Sequence, residues 1–206
     1  GLLPGTMAFA SVHACAQVLL ASGRADPSAL DALGCAALHA AALGRAALSG
    51  SATGVFLGFA GTEFSQVLAA SPAGRSVYAA TGATCSIASG RLSYVLGLHG
   101  PCVTYDTACS AALAACHGGL RALQLGECAR GLVAGVNLVV GPGVGISFAI
   151  SGMTSARGRS HTFDARADGF VRSEACGAAA VGSGAEGGGV SVIGSAVRQD
   201  GRSASL

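Results

Sequence analysis

The chain has 206 residues, 51% of them hydrophobic and only 11% charged, which excludes a disordered segment and leaves room for one sizeable domain with a real core. Its 12 basic and 10 acidic residues give a formal charge of +2 without any basic run, which argues against nucleic acid as a partner. Glycine is abundant, at 33 residues, but it has no collagen period and falls at junctions, as in close-packed α/β structure. In chain order, residues 7–21 predict an Ala-rich helix with Val12, Val18, Leu19 and Leu20, ended by Gly23. Asp26 and Pro27 form an N-cap and first-turn pair for a second helix to about residue 42, with Leu30, Leu33, Ala37 and Leu38 at helical spacing. Residues 53–59 (TGVFLGF) predict a short buried strand, 63–69 a helix and 71–74 (SPAG) a turn. Residues 85–96 predict a helix with Ile87, Leu92, Val95 and Leu96 facing inward. A strand at 103–105, opened by Gly-Pro, then leads through Cys109 into an Ala- and Leu-rich helix over 110–125, closed by Gly126. A buried strand follows at 132–140. Residues 141–172 read as irregular and carry Arg157, Arg159, Asp164, Arg166, Asp168 and Arg172. Strand-like runs at 176–181 and 190–197, joined by the hairpin-like SGAEGGG (183–189), close an α/β layered pattern.

Two apolar features have competing readings. Residues 131–156 carry no charge and are long enough to span a membrane, but Gly141-Pro142-Gly143 splits the run. The preferred reading is no membrane span: a buried parallel strand, which is continuously apolar, followed by a loop. Cysteines stand at 15, 35, 85, 102, 109, 116, 128 and 176, with no C-x-x-C and no zinc-finger spacing, so no metal site is expected. Scattered single thiols fit a reduced, intracellular protein, in cytoplasm or plastid, and no signal peptide is legible.

Cys109 sits at a strand-to-helix elbow, where unpaired backbone N–H groups and the helix dipole favour thiolate over thiol. The alternative is a small core filler at a tight corner. No partner base follows from spacing. His117 lies eight residues along the same helix, roughly 12 Å away, and reads as a packed histidine, while His161 reads as a solvated loop residue. Residues 182–187 match G-x-G-x-x-G literally, but a strand rather than a helix follows, so this is a turn. The acids and arginines of 164–174 read as charge-assisted hydrogen bonds fixing a loop, with general acid/base work as the competing possibility.

Several ordered segments resemble one family. GPCVTYDTACSAAL (100–113) is similar to GPSVTVDTACSSSL, the active-site segment of β-ketoacyl synthases, above all the ketosynthase domains of polyketide synthases. In the same order, LGEC (125–128) resembles a GEC turn, LVAGVN (132–137) an AGGVN strand, and FDARADGFVRSEACG (163–177) the segment FDAxADGYVRGEGCG. GSAVRQDGRS (194–203) resembles GSAVNQDGRS, TGVFLG (53–58) resembles TGVFVG, and Asp26-Pro27 echoes DPQQR. The resemblance is strong over 81–203 and weak over 1–80.

The resemblance implies a thiolase-like layered α/β fold, here the N-terminal half of two related halves, and residues 1–206 as a partial, incomplete synthase domain. It implies an acyltransferase. Cys109 would take an acyl chain as a thioester from the phosphopantetheine of an acyl carrier protein, with no cofactor bound, and a decarboxylated malonyl unit would then condense with it. The Cys109 backbone N–H would form half of an oxyanion hole. Ala108 would line the acyl pocket, Phe148 would gate it, and the 103–107 strand would pair across the two-fold of a homodimer. The sequence departs from the family at Ser110-Ala111-Ala112, Ser173, Ala175 and Arg198, and it shows no first strand before Met7. It also contains no segment resembling EAHGTGT or NxKxxxGH, the histidine and lysine motifs that support decarboxylation. Two readings follow: the nucleophile-bearing half of a condensing enzyme, or a non-catalytic acyl-binding and dimerising module.

Overall fold

The structure is a computed structural model that describes residues 5–9, 45–60, 63–77, 79–82, 84–182 and 190–202. The helix expected to residue 42, most of the one expected at 7–21, and the glycine-rich 183–189 segment lie outside the described residues. The strands are β1 (Gly5–Phe9), β2 (Thr53–Phe59), β3 (Cys102–Tyr105), β4 (Arg130–Asn137), β5 (Ala175–Gly182) and β6 (Val190–Val192). The helices are α1 (Arg45–Leu48), α2 (Glu63–Ala69), α3 (Ala79–Gly82), α4 (Cys85–Leu96), α5 (Ala111–Leu125) and α6 (Gly143–Ile150). Single 3-10 turns lie at Pro72–Arg75 and Ala108–Ser110.

The strands form one sheet in the order β3-β2-β4-β5-β1-β6. β2 runs parallel to both β3 and β4, with Leu57 opposite Thr104 on one side and Ala134 on the other. β5 returns antiparallel to β4, with Val133 opposite Ala179, and β1 lies antiparallel to both β5 and β6. Successive strand residues point to opposite faces, and both faces are covered. On one face Val55, Leu57, Leu132, Ala134, Val136, Cys176 and Ala178 pack with Leu92 and Leu96 of α4. On the other, Phe56, Val133, Ala179 and Val181 pack with Ala115, Ala122 and Leu123 of α5. The result is a three-layer α/β/α unit. Full burial of each large side chain contributes about 1.5–3 kcal/mol.

The helices end as their sequences predict. Gly97 (φ 66°) and Gly126 (φ 75°) adopt the left-handed conformation after α4 and α5, and their N–H groups close the last turns. Small residues let α5 lie close to the sheet. A Cβ on Gly58 would lie 2.5 Å from the Ala111 carbonyl carbon and oxygen, and one on Gly135 would lie 2.6 Å from the Ala112 Cβ. Beneath Gly118 the Tyr105 hydroxyl fills the space that a side chain would take.

Several expectations are corrected. Residues 7–9 belong to β1 rather than to a helix, so the first strand exists, and pairing on both sides rather than local propensity makes it one. The expected hairpin between the last two strands is not formed, because β1 lies between β5 and β6. The last strand ends at Val192 instead of 197. β4 begins earlier and stops at Asn137 because the next amides leave the sheet. Val139 N–H donates to the Glu174 carboxylate, and Val140 and Gly141 N–H donate to Glu63. Residues 143–150, expected to be irregular, form α6 despite Gly143, Gly145 and the preceding Pro142. Ile87 is exposed, while Leu92 and Leu96 face the core as expected. The charge-free stretch 131–156 is thus divided between β4 and α6, and no helix among the described residues is long and apolar enough to cross a membrane.

Candidate active site at the carboxyl ends of the parallel strands

β2, β3 and β4 are parallel, so their carboxyl ends share one edge of the sheet, the usual place for ligands in open α/β folds. β3 leads from this edge to Cys109, β2 to Glu63 and β4 to α6 with Phe148, and Arg172 precedes the antiparallel β5 at the same edge. Ala108 and Cys109 are side by side in the elbow, and Phe148 stands on a separate helix at that edge.

The elbow is built by its own polar side chains. Asp106 Oδ1 accepts the Ala108 N–H at 3.2 Å, and the Ser110 hydroxyl lies 2.8 Å from both the Thr107 carbonyl oxygen and its hydroxyl. Ala108 has φ 53°, the sole positive value at a non-glycine among the described residues, a conformation that costs about 1 kcal/mol for an L-residue. That strained residue turns the chain so that Cys109 enters the 3-10 turn heading α5. The first bond of the turn is made by Ser110 N–H to the Thr107 carbonyl, so the Cys109 N–H precedes the ladder. Cys109 is exposed, which removes the core-filler reading.

The other described thiols differ. Burial pushes up the thiols of Cys85, Cys116 and Cys128; Asp106 adds to the effect at Cys85. Cys176 is buried in β5, and Cys102 is exposed at the start of β3. Among the described residues no cluster of His, Cys, Asp or Glu is arranged to hold a metal ion. His117 Nδ1 lies 2.8 Å from the Ser195 hydroxyl, which ties the segment after β6 to α5. His161 is largely covered rather than solvated, at 18% exposure, with Nδ1 3.8 Å from Asp164.

The charged loop is a hydrogen-bonded frame. Arg166 grips Asp164 through Nε at 3.0 Å and Nη2 at 2.6 Å. Arg157 spans Asp168 (3.0 Å) and the Arg166 carbonyl (2.7 Å), and the Ser155 hydroxyl donates to Asp168 at 2.6 Å. The Arg166 guanidinium holds the Asp164 carboxyl below its ordinary range, and Ser155 followed by Arg157 does the same for Asp168. All of these bonds are internal to the loop, which is the structural reading of this charge pattern. The loop closes where Thr154 bridges Phe170 and Gly169 sits with φ 132°. A Cβ there would lie 2.5 Å from the Thr154 carbonyl carbon and 2.6 Å from the Ser155 nitrogen. Gly169→Ala is therefore expected to lower stability by about 2 kcal/mol, measured as a drop in the denaturation midpoint at unchanged m-value.

Glu63 and Arg172 form the ion pair that sequence reading did not single out. Arg172 Nη2 donates to Glu63 Oε1 at 2.8 Å, with the side chains 16% and 7% exposed. Glu63 Oε2 accepts the Val140 and Gly141 amides at 3.0 and 3.1 Å. The Arg172 guanidinium also lies 5.7 Å from the Phe148 ring centroid, and Phe170 meets that ring edge-on at 6.0 Å. The available sequence signal was an acidic residue opening an apolar helix directly after a buried strand. Burial raises the Glu63 carboxyl, but the Gly141 amide, Arg172 and the Val140 amide outweigh it and hold the group below its ordinary value. The folded state therefore binds this proton less readily than the unfolded chain. Its contribution is complete above the ordinary glutamate range and is lost as the pH falls through the lowered value. Glu63→Gln is expected to flatten the fall in stability at acidic pH, read from denaturation midpoints across that window.

The family profile described as "Beta-ketoacyl synthase, N-terminal domain" matches residues 23–186. A mycocerosic acid synthase-like polyketide synthase of Mycolicibacterium smegmatis is 42% identical over 140 residues, covering 68% of this chain and 7% of that protein. A phenolphthiocerol/phthiocerol polyketide synthase of Mycobacterium tuberculosis is 42% identical over 174 residues, or 81% of this chain and 11% of that one. Among solved structures, the oxazolomycin ketosynthase domain of Streptomyces albus JA3453 superposes with a TM-score of 0.63 at 31% identity, over 70% of this chain and 25% of the other. A ketosynthase from module 6 of the Bacillus subtilis bacillaene synthase gives 0.59 at 31% identity, over 75% and 24%. The chain thus spans about a tenth or less of these curated relatives and about a quarter of these solved ketosynthases.

Proposed function

Because the chain belongs to the β-ketoacyl synthase family, we propose that it is the nucleophile-bearing part of a ketosynthase, with Cys109 as acyl acceptor. The Cys109 thiolate attacks the carbonyl of an acyl-phosphopantetheine thioester on a carrier protein. The new carbon–sulfur bond forms as the carrier–sulfur bond breaks, and the carrier departs as a thiolate that takes back, through solvent, the proton the Cys109 thiol gave up on ionising. The oxyanion of that tetrahedral intermediate lies where the Cys109 N–H can donate to it, at the head of α5. In the second half-reaction the malonyl unit of another carrier loses carbon dioxide. Its electron pair attacks the acyl carbonyl, and the Cys109 sulfur departs. Ala108 lines the pocket beside the nucleophile, and Phe148 gates it. The observation that carries the reading is the placement of Cys109. It is exposed at a strained elbow on the carboxyl edge of the parallel strands, while Cys85, Cys116 and Cys128 are pushed towards the thiol form.

Incubation with octanoyl-carrier should add one acyl group to the intact mass, and Cys109→Ser should remove that addition. An undiminished acyl adduct in the serine variant would refute the acceptor role. The same reading includes a homodimer. Among the described residues β3 is one of the two outer strands of the sheet, with Cys102 and Val103 exposed, and such an edge is suited to pairing with a second copy. Sedimentation equilibrium at twice the monomer mass supports that part.

A further inference from the structure

Phe148 is the candidate gate of the acyl pocket, and its ring is not left to find its own position. Three elements converge on it: α2 brings Glu63, α6 carries Phe148 itself, and the segment before β5 brings Phe170 and Arg172. Arg172 Nη2 is held by Glu63 at 2.8 Å, and its guanidinium carbon stands 5.7 Å from the ring centroid. Phe170 meets the same ring at 6.0 Å with an interplanar angle of 61°. Glu63 is anchored in turn, because its second oxygen accepts the Val140 and Gly141 amides just before α6 begins. One carboxylate therefore fixes both the start of the helix that carries Phe148 and the cation that faces its ring. A buried ion pair adds little net stability over an apolar pair of the same volume, so stability alone does not account for placing one here. A planar cation against an aromatic face, by contrast, restricts where that ring can sit.

We infer that Arg172 is a positioning residue: clamped by Glu63, it holds the Phe148 ring in place and so sets the length of acyl chain that Cys109 accepts. This rests on Cys109 being the acyl acceptor and Phe148 the gate of its pocket. Cation and ring do not react. The effect is on which acyl thioesters fit, so it belongs in the ratio of acylation rates rather than in the chemistry of the thiol.

The test compares the parent chain with the double variant Glu63→Gln/Arg172→Met, which leaves no unpaired buried charge and keeps an acceptor for the two amides. Acetyl- and octanoyl-pantetheine are the probes, and the readout is the ratio of their acylation rates at Cys109. The ratio is expected to shift about fivefold, the scale of a cation–π contact that is not fully desolvated, with Arg172→Lys in between. An independent signal exists because the chain contains no tryptophan, so Phe148→Trp introduces the sole indole. Acrylamide quenching of that indole should rise about threefold when the ion pair is removed, as the ring loses one of its two brackets. Ratio and quenching both unchanged in a folded double variant would overturn the inference. If the double variant does not fold, Arg172→Lys carries the same comparison, and an unchanged ratio there overturns it too. If neither probe acylates Cys109 in the parent, it is the acceptor reading that fails, and quenching alone then decides whether Arg172 holds the ring.

Discussion

Gly58→Ala is expected to cost about 3 kcal/mol, enough to move a denaturation midpoint far outside error. The cause is backbone against backbone. The new Cβ would lie 2.5 Å from the Ala111 carbonyl carbon and oxygen and press on the Ala112 amide nitrogen, none of which can rotate away as a side chain could. α5 would have to lift from β2 at its first turn, which directly follows the 3-10 turn that carries Cys109. The loss should therefore come with slower modification of Cys109 by a thiol reagent. A control isolates the mechanism. Gly90 lies inside α4 with nothing within 4 Å of a Cβ, so Gly90→Ala should be neutral or stabilising by up to about 1 kcal/mol through helix propensity. Equal destabilisation at both positions would mean that close packing of α5 is not what Gly58 provides.

Glu63→Ala should cost about 3–5 kcal/mol at neutral pH, because it leaves the Arg172 cation without its carboxylate in a largely buried position. It also strips the Val140 and Gly141 amides of their acceptor, and unpaired buried donors are costly. Glu63→Gln retains an acceptor oxygen and should lose clearly less. Chemical denaturation of both variants, with the parent as reference, measures the difference. If alanine and glutamine are equally harmful, the carboxylate's charge rather than its acceptor geometry is what matters. If both are harmless, the pair does not hold α6 at all.

The parts of the fold legible from sequence are those whose signal is local. TGVFLGF predicts β2 with the bounds observed, and the Ala- and Leu-rich helix ending at Gly126 is α5 to within one residue. What was not legible depends on distant partners. β1 is a strand because β5 and β6 flank it, and its short run of small and apolar residues has no strand signature of its own. α6 forms from a segment rich in glycine and β-branched residues, both poor helix formers. Its start is pinned from Glu63, 77 positions away at Val140 and 78 at Gly141. The same holds at the site. Cys109 announced itself through its elbow and its motif. The Glu63–Arg172 pair joins residues 109 positions apart and has no local pattern. The loop around Asp164, Arg166 and Asp168 is legible because its bonds are short in sequence as well as in space.

Everything functional in this account depends on Cys109 reacting differently from the other seven cysteines. The direct measurement is incubation of the chain with an acyl-carrier thioester, followed by protease digestion and mass mapping of acyl groups on each cysteine-containing peptide. The peptide holding Cys109 is expected to be acylated first and by a wide margin, ahead of exposed Cys102 and far ahead of Cys85, Cys116 and Cys128. Acyl groups spread evenly over the cysteines would contradict it.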